Sequence, residues 1–154
     1  MIKPRIYLDT SVFGGCFDDE FAKDSLRLIQ EIKAGKFRLV LSKTVLGEIE
    51  NAPVQVRELV ASLPVDVVEP VDVSENAERL KQAYVDANVV GAASAKDAEH
   101  IAIATVAHVN IIISWNFKHI VHFEKISGYH EVNRKMGYGE PLIYSPKAVV
   151  SYED

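Results

Sequence analysis

The segment "AKDAEHIAIATVAHVNIIISWNFKHI" (95–120) decides the fold. In its first half Ala98, Ile101, Ala102 and Thr105 recur at helical spacing. Its second half opens on a short β-branched run, "VNIIIS" (109–114), and then breaks into a polar, partly basic turn. A helix feeding a short apolar strand is one step of an alternating α/β chain, and in an open α/β sheet the carboxyl end of a strand is where ligands bind. The turn "SWNFKHI" (114–120) therefore marks a place to look for chemistry.

Outward from this segment the alternation repeats. "RIYLD" (5–9), "FRLVLS" (37–42), "VDVVEP" (65–70) and "PLIYS" (141–145) read as further strands, short, rich in Val, Ile, Leu and Tyr, and bounded by polar or proline punctuation. Between them lie helical patterns. "FAKDSLRLIQEIKAG" (21–35) carries a stripe of Phe21, Ser25, Leu28 and Ile32, with Leu26 and Ile29 beside it and Gly35 as a stop. Further helices are expected in "SKTVLGEIENA" (42–52), "VQVRELVASL" (54–63) and, capped by Ser74, "ENAERLKQAYVDANVV" (75–90). The stretch 121–140 has poor periodicity and reads as a helix followed by an irregular loop. This order predicts a three-layer α/β/α domain around a mostly parallel sheet of about five strands, with right-handed crossovers. Residues 1–154 are expected to form a single domain, since no repeat, low-complexity segment or linker divides them.

Composition narrows the function classes. Of the 154 residues 48% are hydrophobic and 25% charged, as in a globular protein. "MIKPRIYLDT" reaches an aspartate before any apolar run of signal length, and no segment approaches the roughly 20 apolar residues of a membrane span. A cytoplasmic protein with no membrane contact is expected. The single cysteine, Cys16, allows no internal disulfide. A formal charge of −5 disfavours indiscriminate nucleic-acid binding, although Lys118, Lys125, Arg134 and Lys135, with His119, His122 and His130, bias the last third toward positive charge. No dinucleotide-binding glycine pattern or phosphate-binding loop occurs.

Four residues stand where chemistry is expected. Asp9 ends the first strand, Glu48 lies in the helix after the second, Asp97 opens the helix before "VNIIIS", and Asn116 follows that strand. A parallel sheet brings these positions toward one edge. Carboxylates gathered there are hard ligands suited to Mg2+ or Mn2+; without a cation, two of them 4 Å apart repel by about 4 kcal/mol at an effective dielectric of 20. That geometry suits phosphodiester hydrolysis by a metal-activated water. Each residue also has a purely structural reading. Asp9 with Thr10 and Ser11 makes a turn, Ser94 and Asp97 a capping box, Asn116 a helix cap, and Glu48 an exposed helix face. Glu99 reads as a solvent or supporting contact, and Trp115 and Phe117 as packing anchors.

The ordered set "LDTSV", "VLGEI", "KDAEHIAIA" and "SWNFKHI" resembles the PIN-domain family, including the VapC-like toxins of bacterial and archaeal toxin–antitoxin pairs. The match runs from residue 5 to about 145. The resemblance implies a metal-dependent endoribonuclease acting on RNA and leaving 5′-phosphate and 3′-hydroxyl ends. Asp9, Glu48 and Asp97 match the metal-site acids, with Mg2+ or Mn2+ as cofactor, and Asn116 takes the place of a fourth acid common in the family. That amide adds no negative charge, which weakens a second metal site. Read this way, Thr10, Ser11, Ser114 and Lys118 contact substrate, while His119 is more simply surface-exposed. Toxin function would add a cognate antitoxin and a homodimer. Two other classes compete: a catalytically weak or inactive PIN-like module binding RNA or a protein, favoured by Asn116, and a phosphotransfer domain, disfavoured because "LDTSV" lacks a second aspartate two residues after the first.

Overall fold

The computed structural model describes residues 3–152. Five strands, β1 (Arg5–Leu8), β2 (Arg38–Ser42), β3 (Val68–Val71), β4 (Ile111–Ile113) and β5 (Leu142–Tyr144), form one all-parallel sheet in the order β3-β2-β1-β4-β5. Eight α-helices among the described residues cover it: α1 (Thr10–Gly15), α2 (Ala22–Lys33), α3 (Lys43–Ile49), α4 (Val54–Ala61), α5 (Glu75–Asp86), α6 (Ala95–Val106), α7 (Phe123–Lys135) and α8 (Pro146–Val149). The three-layer α/β/α arrangement is the one expected. α1 packs on α2, α3 and α4, whereas α5 packs on α6 and α7, so the helices fall into two groups.

Both faces of β1, β2 and β4 are covered, and their residues are correspondingly apolar. Ile6, Leu8, Leu39, Val40, Ile112 and Ile113 are buried, with Leu28, Ile32, Leu80 and Ile101 packed from the helices. Residual differences from the sequence reading have local causes. Val65–Val67 form a 3-10 turn, so the third strand begins only at Val68. Leu26 lies outside the buried face of α2, and Glu31 takes a buried place instead, where its carboxylate accepts from the backbone N–H of Ser151 at 2.8 Å. Ser74 caps α5 as expected, accepting from Ala77 N–H at 3.1 Å, and Gly35 ends α2 with φ +85°.

Register positions the functional edge. Tyr7 pairs with Val40 on one side and Ile112 on the other. Side chains alternate along a strand, so Tyr7 and Asp9, Val40 and Ser42, and Ile112 and Ser114 share one sheet face. The connections leave β1 toward β2 and arrive at β4 from the opposite direction, which makes the gap between β1 and β4 a topological switch point. Asp9 and Ser114 stand at the carboxyl ends of those two strands.

Candidate active site at the carboxyl edge of the sheet

Asp9 follows β1 and is only 5% exposed. Its backbone N–H reaches the Ile113 carbonyl at 3.3 Å, continuing the β1–β4 ladder by one residue. Its carboxylate is held by two hydroxyls: Ser11 donates to Oδ1 at 2.5 Å and Ser114 to Oδ2 at 2.8 Å. Ser114 is wholly buried, and its Oγ also accepts from Asn116 N–H at 2.9 Å. No lysine or arginine among the described residues forms an ion pair with Asp9. Burial pushes the Asp9 carboxyl above the usual range and the charge of Asp97 adds to the rise, against the lowering by the hydrogen bonds of the two serines.

Glu48 comes from α3, whose first turn is capped by Ser42 Oγ accepting from Val45 N–H at 3.1 Å. Its Oε1 takes two donors, Thr10 Oγ1 at 2.9 Å and His100 Nε2 at 2.7 Å. Burial alone would raise this carboxyl. The hydrogen bonds from His100 and the Thr10 hydroxyl oppose it, and the group is held below the usual range. Asp97 sits half-buried in the first turn of α6. The capping-box reading is not realised there, because Ser94 makes no side-chain cap and its Oγ lies 3.3 Å from His119 Nε2.

Asn116 has the structural role its residue type allows. Its Oδ1 accepts from the backbone N–H groups of Lys118 at 3.2 Å and His119 at 2.9 Å, ordering the turn after β4. Trp115 anchors that turn as expected: its Nε1 donates to Ser25 Oγ at 2.7 Å and its ring stacks on Phe21 at 4.3 Å. A Cβ at Gly15 would lie 2.9 Å from the indole, so glycine is needed for this approach. Phe117, by contrast, is 49% exposed rather than packed. His119 is half-buried, not a surface residue, with Nδ1 lacking a hydrogen-bond partner. The basic bias of the last third is partly neutralised, since Arg134 pairs with Glu140 at 3.4 Å and Lys135 with Glu131 at 3.2 Å; Lys125 keeps its charge and donates to the Val89 carbonyl at 2.7 Å. Lys118 is exposed beside the site.

One residue escaped the sequence reading. His100 is buried between Glu48 and Tyr7. Its signal was the spacing from Asp97, three residues along one helix, which puts both on neighbouring positions of the same face. Of the two readings of Glu99, solvent or supporting contact, the structure shows the supporting one: the residue is 7% exposed, and its carboxylate accepts from Thr44 at 2.7 Å, Lys81 at 3.1 Å and Lys96 at 3.3 Å. Burial raises the Glu99 carboxyl, but those partners together hold it below its ordinary 4.5. A carboxyl depressed in the folded state contributes stability above pH 4.5 and loses it as pH falls through the folded value. Thermal unfolding followed between about pH 6 and pH 3 is expected to show a shallower acid decline for Glu99→Gln than for the wild type.

The donor set suits a hard divalent cation in its chemistry: a buried aspartate without a basic partner, opposed by a second aspartate, with a glutamate nearby. In their present rotamers no three His, Cys, Asp or Glu side chains among the described residues close on one point. The larger surface concavities, of about 520 and 490 Å3, lie along α7, and a smaller one of about 260 Å3, lined by Thr105, His108, Asn110, Glu140 and Pro141, is at the opposite, amino end of the sheet.

Taken together, the all-parallel 3-2-1-4-5 sheet, its two helical layers and the acidic carboxyl edge define a PIN-like α/β/α fold. The chain is similar in structure to a chain of VapBC2 from Rickettsia felis bound to a DNA fragment from its promoter, with a TM-score of 0.56 and 13% identity over 92% of this chain and 98% of that one. It is similarly close to a chain of FitAB bound to the IR36 DNA fragment, with a TM-score of 0.58 and 12% identity over 96% and 99%. At these identities the likeness is one of fold. No family model and no curated protein matches the sequence. No helix among the described residues is long and apolar enough to cross a membrane.

Proposed function

We propose that this protein is a divalent-metal-dependent endoribonuclease that hydrolyses RNA phosphodiesters. The observation that carries the proposal is Asp9: a buried carboxylate at a topological switch point, without a lysine or arginine partner among the described residues and repelled by Asp97. Such a group costs stability unless a cation compensates it. Asp9, Asp97 and Glu48 would hold Mg2+ or Mn2+. When bound, the ion supplies an acidified water and neutralises charge on the phosphate. The chain's own residues supply orientation. Ser11 and Ser114 hold both oxygens of Asp9, while Thr10 and His100 hold Oε1 of Glu48 and leave Oε2 as its open acceptor. Lys118, exposed beside the turn, is placed to meet a backbone phosphate as a point charge.

The structural likeness to VapBC2 and FitAB, joined to the motif resemblance, supports a place in a toxin–antitoxin pair. In that setting a cognate antitoxin would cover the acidic edge and the working unit would be a homodimer. One observation favours the second reading, an inactive PIN-like module: the Asn116 carbonyl is already committed to two backbone N–H groups.

The test is incubation of a labelled RNA pool with purified protein in Mn2+ or Mg2+, with chelator and Asp97→Asn as controls. Cleavage leaving 5′-phosphate ends, reduced more than about 100-fold in both controls, is expected. Cyclic phosphate ends would replace metal-activated water with attack by the 2′-hydroxyl. Retained Mn2+ binding without cleavage would establish the inactive module.

A further inference from the structure

We propose that His100 is a positioning residue for Glu48, fixed as the Nε2–H donor by a buried chain of hydrogen bonds that begins in the backbone of α3. The inference rests on the reading of Glu48 as part of the acidic site and specifies how that carboxylate is presented.

His100 is 3% exposed, and both ring nitrogens are engaged: Nε2 lies 2.7 Å from Glu48 Oε1, and Nδ1 lies 2.7 Å from the Tyr7 hydroxyl. Tyr7 is fully buried, and its hydroxyl is also 2.8 Å from Ser42 Oγ. Ser42 Oγ in turn accepts from Val45 N–H at 3.1 Å. Burial pushes the Tyr7 phenol up, so it keeps its proton at neutral pH.

Counting protons fixes the direction of the chain. If Nδ1 carried the hydrogen, it would donate to the Tyr7 oxygen, Tyr7 would donate to Ser42, and Ser42, already accepting from Val45, would have a hydroxyl proton with no acceptor in a fully buried position. In the opposite sense every donor is satisfied. Val45 N–H donates to Ser42, Ser42 to Tyr7, Tyr7 to His100 Nδ1, and Nε2–H to Glu48. A buried hydroxyl proton left without an acceptor is costly, which selects the second arrangement. The partner of one ring nitrogen thereby sets the role of the other.

The consequence is specific to Glu48. With Thr10 and His100 both on Oε1, the carboxylate cannot rotate freely and presents Oε2 alone. Unlike a lysine in the same place, an imidazole that donates only through Nε2 orients the carboxylate without cancelling its charge.

Two measurements on the full chain test this. The first is 15N NMR of imidazole-labelled protein at neutral pH, with the His100 signals identified by their loss in His100→Gln. A protonated Nε2 and an unprotonated Nδ1 are expected, and Tyr7→Phe should shift the balance toward Nδ1–H. A wild-type Nδ1–H form overturns the proposal. The second is Mn2+ titration by electron paramagnetic resonance on variants whose fold is checked by circular dichroism. His100→Leu is expected to weaken Mn2+ binding about 10–100-fold, and His100→Gln, whose amide N–H replaces the Nε2 donor, to recover most of it. Equal affinities for the Leu and Gln variants overturn the positioning role. A wild-type chain that binds no Mn2+ brings down the metal-site reading itself and the role of His100 within it, and leaves the tautomer result standing apart.

Discussion

The Asp9→Asn chain is expected to cleave no RNA and yet to unfold at a higher temperature than the wild type at pH 7. The wild-type carboxylate is 5% exposed and its carboxyl is pushed up, first by burial and further by Asp97. A carboxyl raised in the folded state binds its proton more tightly there than in the unfolded chain. The contribution of this group to stability is therefore greatest at acid pH and falls as pH rises above 3.8 through the folded value, the reverse of Glu99. Asparagine removes the ionised form. A gain of about 1 kcal/mol at pH 7 corresponds to a rise of about 2–4 °C in a chain of this size. The gain should vanish in acid, where the wild-type group is protonated. Mn2+ supplies a second readout: at about 100 times its dissociation constant, a ligand that binds only the folded state stabilises by about 2.7 kcal/mol. The wild-type midpoint should rise on adding Mn2+ and the Asp9→Asn midpoint should not. A less stable Asp9→Asn chain would mean that Asp9 is a structural turn residue.

Ser114→Ala is expected to be the most destabilising of the single-atom changes at the site. The hydroxyl is wholly buried, donates to Asp9 Oδ2 at 2.8 Å and accepts from Asn116 N–H at 2.9 Å. Its loss strips one oxygen of a buried carboxylate and one backbone N–H of their partners. Each unsatisfied group costs about 1–3 kcal/mol, so the loss is expected at about 2–4 kcal/mol, read by urea unfolding. The two sites are coupled. In the Asp9→Asn background the penalty should shrink, because the stranded oxygen no longer carries charge. Equal penalties in both backgrounds would show that Ser114 stabilises the turn rather than Asp9.

Much of the architecture was legible because strand and helix periods differ and because each apolar run is short and punctuated. "VNIIIS" and "RIYLD" became central strands, and Asp9 and Ser114 stand at their ends, as the alternation implied. Short elements were harder to read. α1, spanning Thr10–Gly15, lies in a stretch read as a turn, and its first residue follows the strand directly. Phe117 and His119 exchanged environments relative to expectation, since burial around a turn depends on which helix covers it. Here the Tyr129 hydroxyl donates to the His119 carbonyl at 2.7 Å and draws that residue inward.

The order of the strands and longer helices, the three-layer class and the positions of the four polar residues at strand ends and in the adjoining helices were determined by the sequence alone, because they depend on hydrophobic period and punctuation within a few residues. The partners of those residues were decided only by the tertiary structure. Thr10 reaching Glu48, Ser114 reaching Asp9, and Tyr7 joining Ser42 to His100 link positions 38, 105, 35 and 93 residues apart. Such pairs are set by sheet register and by the helix laid across it, and no local pattern encodes either.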